Sequence, residues 1–154
     1  MGDAESFFHA VFPLPDLGAT RMLGARIAAS LQPGDAVALA GDLGAGKTTL
    51  ARAILAGLGV RETVPSPTFT LVQSYDTPRL SVSHYDLYRL KNEREIDELG
   101  LDEALEFGAA LIEWPERAES RLPRERLTVQ LHAEADGRRA ELSGPARWRE
   151  LARA

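Results

Sequence analysis

The run Gly41-Asp42-Leu43-Gly44-Ala45-Gly46-Lys47-Thr48 meets the pattern G-x-x-x-x-G-K-[ST] at every specified position, and no other stretch limits the possible folds so sharply. Each residue type has a chemical task. The glycines let the backbone curl with its amides turned inward, where they meet phosphate oxygens, and the lysine adds a mobile positive charge at the β and γ phosphates. The Thr48 hydroxyl suits Mg²⁺, and Thr49 is placed to approach the α phosphate. The flanks agree with this reading. Residues 36–40 form a short apolar run, as expected of a strand covered on both faces, and 47–58 place Leu50, Ile54 and Leu58 on one helical stripe ending near Gly57 and Gly59. A glycine-rich turn without a ligand does not require that strand-loop-helix setting. The expectation is ATP binding, with ADP as product, through Gly41, Asp42, Leu43, Gly44, Ala45, Gly46, Lys47, Thr48 and Thr49. Only Lys47 and Lys91 are lysines among 18 basic residues, so the position of Lys47 carries information.

The rest of the chain is read around that unit. Residues 7–12 look like a first strand ended by Pro13 and Pro15; Leu23, Ile27 and Leu31 recur at helical spacing, with Asp16 or Thr20 available as a cap. Strand-like runs follow at 71–75, 80–85 and 109–112, with an acidic helical stretch at 92–106 between them. Residues 127–132 and 139–142 suggest a hairpin turning at Asp136-Gly137, before a last helix from Pro145. Strands interleaved with helices predict an α/β fold: a P-loop NTPase sandwich with a mixed, mainly parallel sheet flanked by helices. A length of 154 residues with 44% hydrophobic content predicts one domain over 1–154.

Composition removes several classes of function. With no cysteine, the chain cannot form disulfides, thiolate nucleophiles or cysteine-ligated zinc sites. Asp3 and Glu5 stand where a secretory leader would be basic, and no apolar run approaches the roughly 18 residues that span a bilayer, so a soluble, cytoplasmic protein without membrane contact is expected. A formal net charge of −5 disfavours autonomous binding to a nucleic-acid backbone. Any contact with RNA is expected to pass through a partner.

A phosphate loop also needs acidic help with metal and water, usually from the end of a neighbouring strand. Two residues qualify. Asp86 ends the run from Leu80, and Glu113 ends the run from Ala109; taken alone, each also reads as an ordinary strand-end surface acid. Trp114, between Glu113 and Pro115, fits either the core or a stacking position over a purine.

Four segments together resemble one family. Gly41 to Thr49, Ser66-Pro67-Thr68-Phe69-Thr70-Leu71-Val72, His84-Tyr85-Asp86-Leu87-Tyr88-Arg89-Leu90 and Ile112-Glu113-Trp114-Pro115-Glu116 are similar in order and spacing to the bacterial TsaE (YjeE) family. The resemblance covers about 13–123, and the last thirty residues add little to it. It implies a Mg²⁺-dependent ATPase, weak alone, that supports threonylcarbamoyl transfer to the adenosine next to the anticodon of tRNA by TsaB and TsaD. It further implies that Thr48, Asp86 and Glu113 surround Mg²⁺ and that Lys47 holds phosphates. Trp114 would pack on adenine, and 66–70 would act as a switch-like loop. It also makes 16–20 a weaker candidate border of the nucleotide. Tyr85 stands where phenylalanine is also common in the family.

Two features stay open on the residues alone. Residues 92–106 hold seven acids against Arg94, which suits a solvated helix face or a docking surface for a basic partner. Arg89, three residues after Asp86, suits a local ion pair or an internal arginine finger. The rival function is a small-molecule or nucleotide kinase, which would also need an acceptor site and a closing lid; no lid segment is visible. A nucleotide-sensing module with little hydrolysis of its own is the third reading.

Overall fold

In the computed structural model, which describes residues 7–42, 44–61 and 71–152, the apolar run after Asp35 forms β2 (Ala36–Gly41) at the centre of the sheet. The whole sheet has seven strands in the order β1-β7-β6-β2-β5-β4-β3. The other strands are β1 (Phe7–Leu14), β3 (Val72–Asp76), β4 (Ser81–Asp86), β5 (Gly108–Glu113), β6 (Leu127–Glu134) and β7 (Gly137–Pro145). The four central strands β6, β2, β5 and β4 run parallel; β7 pairs antiparallel with β6, β1 antiparallel with β7, and β3 antiparallel with β4. This is the expected mixed α/β sheet. Its burial follows the covering: all six residues of β5 are buried, whereas β6 and β7 alternate.

Helices α1 (Leu17–Ser30) and α2 (Lys47–Gly57) cover one face, where Ile27, Leu39, Ile54, Leu111 and Val129 form the larger core. Each such aliphatic side chain contributes about 1.5–3 kcal/mol on burial. The two helices approach so closely that a Cβ on Gly24 would lie 2.5 Å from the Ala53 Cβ. The other face is covered over β5 and β4 by α3 (Glu95–Glu98), α4 (Leu101–Phe107) and the 3-10 turn Pro115–Arg121, enclosing Tyr85, Leu87, Ile96 and Ile112.

Several boundaries differ from the sequence expectation for identifiable reasons. Strand β1 continues through Pro13 to Leu14 because it is an edge strand, where a missing N–H is tolerated. Helix α1 starts earlier than its apolar stripe, with Asp16 Oδ1 accepting from the Ala19 N–H at 2.9 Å. The acidic stretch is two short helices and not one, broken where Gly100 adopts φ 73°. The terminal hairpin turns at Ala135-Asp136, with Glu134 paired to Gly137. The last segment is a 3-10 turn, Ala146–Ala152, which buries Trp148 and Leu151 against the larger core. The expected switch-like loop at 66–70 and residue Leu43 lie outside the described residues.

Candidate functional site

The phosphate-loop segment links the end of β2 to the start of α2, as its flanks predicted. Gly41 has φ 145°, and a Cβ there would meet the Leu131 carbonyl oxygen at 2.7 Å, so the loop can leave the sheet only through glycine. Gly46, at φ 105°, caps α2 without a side-chain hydrogen bond, which leaves the first amides of the helix available to an anion.

Lys47 is not extended into solvent. It is 5% exposed; its Nζ donates to the Gly41 carbonyl at 2.6 Å and the Asp42 carbonyl at 2.9 Å, and lies 4.0 Å from the centre of the Trp114 ring. Burial lowers the Lys47 pKa, and the charges of Glu113, Glu116, Asp86 and Asp42 oppose that shift, Glu113 most strongly.

Parallel pairing brings the two expected carboxylates to the same edge. Asp86 and Glu113 are register partners at the carboxyl ends of β4 and β5, and Leu39 of β2 pairs with Glu113, so three strand ends meet at the loop. The Thr48 hydroxyl donates to Glu113, at 2.8 Å from Oε1 and 3.0 Å from Oε2. Asp86 Oδ1 accepts from the Tyr88 N–H at 3.1 Å, which turns the chain after β4. Both acids are buried, at 6% and 2% exposure, unlike ordinary strand-end surface acids.

Trp114 takes the left-handed conformation at φ 59° and is partly buried; its ring sits between Lys47 and Tyr88, whose ring centre is 4.9 Å away. It packs at the edge of the smaller core, whereas Trp148 is buried within the larger one. Thr49 opens onto a groove of about 510 Å³ between α1 and α2, which Leu17 and Thr20 of the 16–20 segment also line.

Two further residues reach the site without a role legible in the sequence. His84 is fully buried with Nε2 2.6 Å from Glu113 Oε2. Arg138, carried in by the terminal hairpin, lies over the loop: a Cβ on Gly46 would be 3.1 Å from its Cδ, and its Nη2 reaches the Gly44 carbonyl at 3.4 Å. Nothing in the sequence near Arg138 signals this, because the contact spans 94 residues. His84 had a local signal, being an interior polar residue two positions before Asp86.

Comparison with known proteins decides the family. The model for "Threonylcarbamoyl adenosine biosynthesis protein TsaE" matches residues 14–141. The chain belongs to the TsaE family. Among TsaE proteins, that of Bacillus subtilis, named tRNA threonylcarbamoyladenosine biosynthesis protein TsaE, is 41% identical over 78% of this chain and 75% of its own length. The TsaE of Rickettsia bellii is 44% identical over 78% of this chain and 84% of its own. The crystal structure of Bacillus subtilis YdiB superposes with a TM-score of 0.75 at 33% identity, covering 94% of this chain and 90% of that one. The TsaE match extends past the limit at about 123 that the sequence motifs suggested and includes most of the terminal hairpin. Among the described residues, no helix is long and apolar enough to cross a membrane.

Proposed function

We propose that this TsaE-family chain binds ATP on the 41–49 loop and hydrolyses it with Mg²⁺, in the cytoplasm, to drive threonylcarbamoyl transfer to tRNA by TsaD and TsaB. The observation that carries the reading is the contact of the Thr48 hydroxyl with Glu113 at 2.8 Å, next to Asp86 on the adjoining strand. A hydroxyl and two carboxylates are oxygen donors suited to a hard cation. Bound there, Mg²⁺ would neutralise charge on the β and γ phosphoryl oxygens.

The chain's own groups divide the remaining work. Lys47 exchanges the Gly41 and Asp42 carbonyls for phosphate oxygens, and the free amides at the start of α2 receive the others. Asp86 and Glu113 share metal ligation and orientation of the attacking water. Trp114 is freed when Lys47 moves and covers the nucleotide, in the role of an adenine-stacking ring. Adenosine and inorganic triphosphate distinguish base from phosphate contact through its fluorescence.

Phosphate release by the purified chain, alone and then with TsaB, TsaD and tRNA, tests the proposal. Slow turnover alone, stimulation by the assembly and tighter partner binding with ATP than with ADP are expected. Phosphorylation of a small-molecule acceptor, with partner binding indifferent to nucleotide, would establish the kinase reading instead.

A further inference from the structure

His84 takes no part in the reactions outlined above, yet it occupies the best-enclosed polar position near them. It lies on β4 two residues before Asp86, therefore on the same face of the strand, and is fully buried. Its Nε2 is 2.6 Å from Glu113 Oε2, while its Nδ1 is buried with no hydrogen-bond partner among the described residues. That asymmetry selects the tautomer. A proton on Nδ1 would be a buried donor with nothing to receive it, whereas a proton on Nε2 is directed at the carboxylate.

Glu113 thus receives two donors from two different elements. His84 on β4 reaches Oε2, and Thr48 on α2 stands closest to Oε1. A glutamate side chain is flexible, and a single bond from Thr48 leaves the carboxylate free to turn. The second bond removes that freedom and keeps Oε1 toward Thr48.

We infer that His84 is a positioning residue for the metal-nucleotide site, holding Glu113 so that one carboxylate oxygen stays presented beside the Thr48 hydroxyl. This rests on Glu113 belonging to the Mg²⁺ site, as proposed above. Hydrogen-bond partners behind a metal-ligating carboxylate typically affect metal affinity or activity by about 10- to 100-fold.

The test compares the wild-type chain with His84→Leu, which removes the donor while filling the space, and His84→Gln, whose amide N–H replaces the donor at a similar reach. Calorimetry measures Mg²⁺ binding to each protein-ADP complex and ADP binding in EDTA; MgATP turnover and melting temperature are recorded alongside. His84→Leu should weaken Mg²⁺ binding about 10- to 100-fold, leave metal-free ADP affinity within about twofold, and lower turnover; His84→Gln should recover most of both losses. The chain has three histidines, and ¹⁵N spectra of the imidazoles should show an Nε2-protonated signal that is lost in His84→Leu, while the signals of His9 and His132, whose Nε2 atoms meet Glu141, stay unchanged. If His84→Leu does not fold, Gln against Asn carries the test, since the shorter asparagine amide cannot reach Glu113. Wild-type Mg²⁺ affinity in a folded His84→Leu, or a glutamine variant no better than leucine or asparagine, overturns the inference. If the wild-type ADP complex itself binds no Mg²⁺, the metal site fails first and the inference with it.

Discussion

Replacing Lys47 by methionine should separate what the lysine does for the nucleotide from what it does for the fold. Two ammonium-to-carbonyl hydrogen bonds, at 2.6 and 2.9 Å, give about 1.5–3 kcal/mol each, and the contact with the Trp114 ring adds about 0.5–2 kcal/mol. Against them stands the cost of burying an ammonium group, several kcal/mol. These contributions nearly offset, and the direction of the Lys47 pKa agrees with that: burial disfavours the charged form more than the four carboxylates restore it. Lys47→Met should therefore leave the ligand-free melting temperature within about 4 °C of wild type, or raise it. Nucleotide affinity should fall, because one charge-assisted phosphate contact worth about 1.5–3 kcal/mol is gone, giving a Kd about 10- to 150-fold weaker. Differential scanning fluorimetry and calorimetric titration with ATP measure the two effects. The pH dependence carries the same sign: between the lowered pKa and 10.5 the unfolded chain holds the Lys47 proton and the folded chain does not, so Lys47 makes stability rise with pH there while ATP affinity falls. Both trends should vanish in the methionine variant. A Kd change below about threefold, or a melting temperature lower by more than about 8 °C, would refute the argument.

Glu113→Gln and Asp86→Asn should each reduce hydrolysis far more than nucleotide affinity and raise the Mg²⁺ needed, as phosphate-release assays at graded Mg²⁺ will show; unchanged turnover in both variants rejects a two-carboxylate site. Gly24→Ala should destabilise the fold by about 1–3 kcal/mol, exceeding the roughly 1 kcal/mol gain in helix propensity, since its Cβ would lie 2.5 Å from that of Ala53; urea denaturation decides this. Tyr85 is pushed up to about 12 by burial and donates to the Leu99 carbonyl at 3.1 Å. Between pH 10 and about 12 the unfolded tyrosine loses its proton before the folded one, so stability should decline across that range, and Tyr85→Phe should remove this decline while costing about 1 kcal/mol below pH 10.

Legibility of the fold and site followed the range of the interactions. The phosphate loop is a local object: its glycines, its lysine and its flanking periodicities all lie within about twenty consecutive residues, so loop type, β2 and α2 could be read directly. Residues 92–106 hold two short helices where their composition suggests one, because composition does not reveal that Gly100 turns left-handed and divides them. The hairpin turn was shifted by one residue, since the Asp-Gly signal marks a turn without fixing which residues pair across it.

The sequence by itself determined the chemistry available, namely a glycine-rich loop of phosphate-binding pattern, one lysine within it, two carboxylates at strand ends, no thiols and a mixed α/β chain. Tertiary structure decided which of these groups meet. Parallel pairing of β4 with β5 brings Asp86 and Glu113 into one row, and the order β6-β2-β5 sets Glu113 beside Thr48, although 65 residues separate them. Burial turned His84 toward Glu113, and the terminal hairpin carried Arg138 onto the loop. Such contacts depend on strand order and on which face each side chain takes, quantities fixed by packing the whole sheet between its helices and invisible to any local window of residues.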